Sequence, residues 1–200
     1  CLGGKCQMGA CATSTYYQVT GGGDVHVAAI DDAAIYAFDT PSQIITFPLP
    51  SGNPTTIADI SAASDGGSPL IEGLAVDGQT IFVRSQSWLF EAELDGGVRR
   101  LSTPDLGGGA SIATEPNSVV LASGSAILRV PKNGQGSSPI ATGEVGAEDV
   151  VRHAQSGLIF WSRAAPGSNP VPDAGSIRTL LGGGAAAAST GLTKPALLHV

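Results

Sequence analysis

The sequence predicts an all-β chain built from repeated four-stranded antiparallel units. Three observations carry this: an apolar run that recurs about every 40 residues, a second hairpin after each run, and turn residues too evenly spread for long helices. Four runs mark the period, Ile35–Phe38, Ile81–Val83, Val119–Leu121 and Leu158–Trp161, and their first residues lie 46, 38 and 39 positions apart. Each follows a short strand-like run ending in polar turn residues. These are Val27–Ile30 before Asp31 and Asp32, Leu74–Val76 before Asp77, Ser111–Ala113 before Glu115, and Val150–His153 before Gln155. Two such runs joined by a tight turn read as a hairpin.

The second hairpins read ITFPLPSGNPTTIA, LFEAELDGGVRRLS, ILRVPKNGQGSSPIA and IRTLLGGGAAAAST, with Gly52, Gly96, Gly134 and Gly183 at equivalent turn positions. Glycine suits a turn that needs positive φ. Four strands in about 40 residues is the period of a β-propeller blade, and a blade must stack on its neighbours to bury both faces. Helical repeats of similar length need uninterrupted windows of apolar i, i+3, i+4 spacing, which Gly, Pro and Asn break here. A sandwich and an open solenoid are the all-β alternatives; the four-strand unit favours the propeller.

The expected organisation is a Cys-rich segment over 1–14 and a partial propeller over 15–200. Its blades fall at about 24–68, 69–108, 109–147 and 148–194, with a further blade starting at 195–200. Tyr16–Thr20 reads as an outer strand, and the ring as incomplete. Phe38, Phe82, Leu121 and Phe160 or Trp161 are expected at equivalent buried positions, and Ile159 and Trp161 on the face that an incomplete ring leaves open.

The segments GLAVDGQTIFV, LFEAELDGGVRRL and ILRVPKNGQGSSPIATG resemble blades of secreted bacterial propellers of the NHL and TolB-like six-bladed families. There an inner strand ending in Asp precedes an aromatic-rich strand and a hairpin carrying Pro and Gly-Gly. The resemblance spans roughly residues 15 to 200 and implies a fold, not an activity. The first unit lacks the Gly-Gly turn, and the fourth carries a Pro- and Gly-rich insertion, Ala164 to Ala174.

Composition bounds the function. Of 200 residues 42% are hydrophobic, enough for a buried core, while 28 Gly and 13 Pro make about a fifth of the chain, as short strands between many turns require. A net charge of −7 leaves no basic stripe for phosphates, which excludes nucleic acid as a partner. No apolar run reaches the roughly 18 residues of a spanning helix, so no membrane insertion is expected. Cys1, Cys6 and Cys11 crowd into the first eleven residues, a pattern of disulfide staples in an exported protein. A zinc knuckle would want closer CxxC pairs and a fourth ligand. Their odd number suggests a further partner upstream, and the missing initiator Met a mature or excised fragment. Cys1 is also where a bacterial lipoprotein would carry its lipid. Secretion, the periplasm or the cell surface is the expected location.

Catalytic motifs are not legible. The glycine triplets lack the Lys-Ser/Thr of a phosphate loop, no serine sits in a GxSxG elbow, and the Cys residues have no partner His. Asp31, Asp32, Asp77 and Asp95 read as caps of their own turns rather than calcium ligands. No metal, cofactor or catalytic residue is assigned. Superposing the repeats puts His26, Glu72, Ala110 and Asp149 just before each inner strand, which makes His26, Glu72 and Asp149 the candidate ligand-binding set at one channel mouth. His153 and His199 are expected within inner strands. Two functions stay open: a binding or scaffold module for a protein, glycan or small ligand, and a propeller enzyme of lyase or hydrolase type. A histidine converging with a carboxylate would favour the second.

Overall fold

The structure is a computed structural model and describes residues 6–7, 10–11, 28–39, 42–49, 52–64, 71–101, 106, 111–164, 175–181 and 184–192. The first two strands, β1 (Cys6–Gln7) and β2 (Ala10–Cys11), pair antiparallel with Cys6 opposite Cys11. Four four-stranded antiparallel sheets follow. The first holds β3 (Ala28–Ile30), β4 (Ala34–Asp39), β5 (Gln43–Pro48) and β6 (Thr55–Asp59). A short 3-10 turn at Ser61–Ala63 leads into the second, β7 (Ile71–Asp77), β8 (Thr80–Ser85), β9 (Leu89–Glu93) and β10 (Val98–Leu101). The third is β11 (Ile112–Thr114), β12 (Ser118–Ser123), β13 (Ala126–Pro131) and β14 (Ser138–Thr142). The fourth is β15 (Ala147–Arg152), β16 (Ile159–Arg163), β17 (Gly175–Leu181) and β18 (Gly184–Leu192).

In every sheet the strands lie in chain order, each paired with the next, so a sheet is two fused hairpins. The first strands of the sheets pack side by side, β3 on β7, β7 on β11 and β11 on β15. They form the inner wall, and β6, β10, β14 and β18 form the outer edges. This is a β-propeller fold with four-stranded antiparallel blades.

Alternation along the second strand of each blade builds the seams between blades, because successive side chains point to opposite faces. Ile81 and Val83 join Tyr36, Ile44 and Ile60 of the first blade, whereas Phe82 between them turns the other way, toward Val119, Leu121 and Val130 of the third. Val120 and Ala122 in turn face the fourth blade and meet Val150, Ile159 and Trp161. Each seam is therefore a separate core, closed only when two blades stack.

Two expectations about phase are corrected by this alternation. Strand register places Ala37, Val83, Leu121 and Trp161 at one position, and Tyr36, Phe82, Val120 and Phe160 at the next. Phe38, Phe82 and Leu121 are thus not equivalents, and Phe38 corresponds instead to Arg84. Ile159 and Trp161 do not lie on the outward face of the fourth blade, since both are buried against the third. For Ile159 and Trp161 the source of the slip is the first turn of the fourth blade; Phe38, Phe82 and Leu121 stand three, one and two residues after the starts of their own runs. Six residues separate the partners Arg152 and Ile159, where four separate Ile30 from Ile35, Val76 from Ile81 and Thr114 from Val119. A count started at Leu158 therefore begins one residue early.

Turn chemistry follows the sequence more closely. Gly96 and Gly134 adopt φ of 97° and 76°, a region that disfavours any side chain, whereas Gly52 makes its turn without a positive φ, against the expectation. Asp31 Oδ1 accepts the backbone N–H groups of Ala33 and Ala34, each at 2.8 Å, and Asp95 Oδ1 accepts that of Gly97 at 3.2 Å. These carboxylates cap their own turns. Tyr16–Thr20, Gly183 and Pro195–Val200 lie outside the described residues.

Candidate functional site

Each inner strand is hydrogen-bonded to its sheet on one side only, so its other edge faces the axis, where the Val150 carbonyl accepts the Ser111 hydroxyl at 2.9 Å. A cavity of about 380 Å³ lies along that axis. Its wall comes from the last residues of the four inner strands: Ala29 and Ile30, Leu74 to Val76, Ile112 to Thr114, and Val150 to Arg152, with Ala154 beyond. Small and branched aliphatic side chains dominate. Among the described residues only Thr114 and Arg152 bring polar side-chain groups, and Ile30, 54% exposed, gives the mouth an apolar lip.

Charged residues surround this mouth, most of them committed. Asp31 caps its turn and accepts the Tyr36 hydroxyl at 3.0 Å. Asp77 pairs with Lys132, whose ammonium also reaches the Pro116 carbonyl at 3.3 Å and stands over the Phe82 ring at 5.3 Å. Glu115 is clamped by Arg129, with Nε at 2.6 Å and Nη2 at 2.9 Å, and accepts the Ser118 hydroxyl. Burial alone would raise the Glu115 pKa. The hydrogen bonds from Arg129 and Ser118 and the charges of Arg129 and Arg152 outweigh it and hold the carboxyl below its ordinary value of 4.5.

A carboxyl whose pKa is lower in the folded state contributes stability that is complete above its unfolded value and is lost as pH falls through the folded one. Wild-type chain is therefore expected to be more stable than Glu115→Gln at pH 7, with the gap shrinking steadily below about pH 4.5. Urea midpoints of both proteins across that range are the measurement, and a gap that stays constant would contradict the linkage.

The sequence-derived site residues are placed as follows. Glu72 and Asp149 sit at the starts of β7 and β15, each where the pairing register shifts. Such bulges leave a residue unpaired and re-aim its side chain. Glu72 Oε2 lies 3.5 Å from Nε of Arg84, and the Asp149 N–H donates to the Ser162 hydroxyl at 3.1 Å. Neither lines the cavity, which is walled by the opposite ends of the same strands. By register the partner of Glu72 in the fourth blade is Glu148, one residue before Asp149. His26, Ala110 and His199 lie outside the described residues. His153 is not within an inner strand: β15 ends at Arg152, and exposed His153 holds the following turn through Nδ1, 2.8 Å from the Ser156 hydroxyl.

Sequence reasoning passed over three buried or half-buried charges. Arg84 is fully buried, pairs with Glu72 and donates from Nη1 to the Ala122 carbonyl of the next blade. Burial lowers its pKa to about 10, against the opposing pull of Glu72, so it stays charged at neutral pH. Glu144, between β14 and β15, accepts the Trp161 indole N–H at 3.0 Å and pairs with Arg178 at 2.8 Å. Arg152 stood inside a run read only as strand. In the Phe82-Val83-Arg84 step the signal was available, because period 2 puts Arg84 on the same inter-blade face as Phe82.

No family model matches the chain, and no curated protein matches it in sequence. Solved structures do. A chain of the nidogen/laminin complex aligns with 25% identity and a TM-score of 0.60, covering 79% of this chain and 60% of its own. Hydrazine synthase of Kuenenia stuttgartiensis aligns at 12% identity with a TM-score of 0.66, over 92% of this chain and 53% of that one. A Thermus thermophilus protein described as an oxidoreductase (glucose dehydrogenase) aligns at 15% identity with a TM-score of 0.57, over 82% and 65%. The chain thus spans less than two thirds of each. These neighbours are propeller-like and agree with the blade architecture; the two at 12% and 15% identity bear on the fold alone.

Proposed function

We propose that this chain is part of an extracellular or cell-envelope binding module, a propeller that takes a small ligand in its central channel and presents its loops to a protein or glycan. The observation that carries this is the channel lining: four inner strands converge on an aliphatic cavity in which Thr114 and Arg152 are the only polar side chains among the described residues. Such a wall suits retention of a ligand rather than proton transfer, and pockets of this size and polarity are common ligand sites. Exposed His153 engages a serine of its own turn, not a carboxylate. One neighbour comes from the nidogen/laminin complex, which supports the second half of the reading. At the opposite end of the inner strands, the bulged Glu72 and Asp149, with His26, are the proposed contacts of an upper-mouth ligand.

The channel reading is tested by screening a chemically mixed fragment set by amide chemical shifts and recovering each hit afterwards. Hits are expected to move inner-strand resonances and to return unchanged. A hit recovered as a cleaved or eliminated product would replace binding by catalysis.

Among the described residues no helix is long and apolar enough to cross a membrane. The β1–β2 register bears on the disulfide pattern. Directly opposed residues of an antiparallel pair have Cα atoms about 4.5–5.5 Å apart, inside the roughly 4.4–6.8 Å range of a disulfide. Non-reducing peptide mapping of protein purified from an oxidising compartment is expected to find Cys6 joined to Cys11, with Cys1 outside that link. A Cys1–Cys6 or Cys1–Cys11 peptide would refute the pairing.

A further inference from the structure

We propose that the channel binds a monoanionic ligand with a compact apolar body, a small aliphatic carboxylate in chemical class, whose charged end is held by Arg152. The proposal rests on the channel reading above and adds the chemistry of its occupant.

The first support is the state of Arg152. It is half-buried in the cavity wall, and no hydrogen bond or ion pair joins its guanidinium to another described residue. Elsewhere the described arginines are engaged: four pair with carboxylates, Arg163 donates to the Val145 carbonyl and Arg100 stacks on Trp88. Glu115 is near enough to feel its charge but is already clamped by Arg129. Two arginines therefore share one carboxylate, and Arg152 is the one that also lines the cavity, with its Nη2 beside the Gly157 turn.

Backbone geometry adds to it. Inner-strand edges offer N–H donors along the axis, and a carboxylate accepts such donors together with a guanidinium at nearly twice the strength of neutral hydrogen bonds. The remaining wall is aliphatic, so the rest of the ligand must be apolar to replace water favourably. Charge is limited to one by the surroundings. Asp31, Asp32 and Asp77 rim the same end, and a dianionic phosphate would meet them with a single unclaimed cation among the described residues to hold it.

The test uses hexanoate, hexanamide, hexylammonium and inorganic phosphate as probes, titrated into the chain and followed by amide chemical shifts. Hexanoate is expected to move resonances of residues 29–30, 74–76, 112–114 and 150–152, with an affinity at least tenfold above that of hexanamide; hexylammonium and phosphate should leave those resonances in place. Arg152→Gln should weaken hexanoate at least tenfold and leave hexanamide unchanged, while Arg152→Lys keeps part of the preference. Unchanged spectra elsewhere in both variants serve as the folding control. Equal affinities for hexanoate and hexanamide, or hexanoate binding indifferent to Arg152→Gln, would overturn the anionic anchor and leave the channel reading standing. Phosphate binding in place of hexanoate would overturn the apolar body. If no probe moves an inner-strand resonance while fragments of other chemistry do, the ligand class is wrong; if nothing binds there, the channel reading falls with it.

Discussion

Replacing Trp161 by Ala is expected to destabilise the chain by about 3–5 kcal/mol, the usual cost of removing a buried aromatic side chain. Trp161 is fully buried, and the other fully buried members of its seam are Ala, Val and Ile, with Leu180 packed at their margin. Short side chains on strands that are already hydrogen-bonded cannot collapse into so large a void. The variant also removes the indole N–H from Glu144, a carboxylate 3% exposed that keeps Arg178 as its counter-ion. Trp161→Phe separates these terms, since it fills most of the volume without the donor, and should cost about 1–2 kcal/mol. Because this seam joins the third and fourth blades, the loss should be local before it is global. Hydrogen exchange in Trp161→Ala is expected to rise first over residues 147–192, with residues 71–101 still protected. Uniform acceleration along the chain would mean that the blades do not open separately.

The repeat was legible because its signals are local. Alternation in Ile81-Phe82-Val83, Asp at the turns and Gly at 96 and 134 each follow from what a short strand or tight turn can accept. Phase was harder to read. The fourth blade's inner hairpin spends two more residues in its turn than the others, held by the His153 N–H to the Leu158 carbonyl and the Gly157 N–H to the His153 carbonyl. Nothing in a spacing of 39 separates that longer turn from a shifted strand. The same slip moved the fourth candidate from Glu148 to Asp149. Arg152 and Glu144 escaped for a different reason: what distinguishes them is whether a partner from another strand reaches them, and that depends on the stacking of blades. Resemblance to the NHL and TolB-like families agrees with the solved structures on the fold, and with no family model matching it goes no further.

Changing Glu72 alone to Met is expected to cost about 3–5 kcal/mol, whereas changing Glu72 and Arg84 together to Met should be near neutral or stabilising by about 1–4 kcal/mol. The asymmetry comes from where the two charges sit. Arg84 is completely buried between the second and third blades, while Glu72 is 24% exposed at the start of β7. With the carboxylate gone, the dry guanidinium keeps its desolvation cost and loses the charge that offsets it, so its pKa should fall further below about 10. The reverse change, Arg84→Met, should be milder than Glu72→Met, because a quarter-exposed carboxylate can recover water. It still withdraws a donor from the Ala122 carbonyl. When both are replaced, the unbranched Met side chains can follow the path of the removed ones along the Phe82 face, and no charge is left buried. Urea denaturation of the three variants beside wild type measures the coupling. A double variant as unstable as the sum of the singles would mean that Glu72 and Arg84 are not coupled, and would overturn the account of an offset buried charge within the second blade.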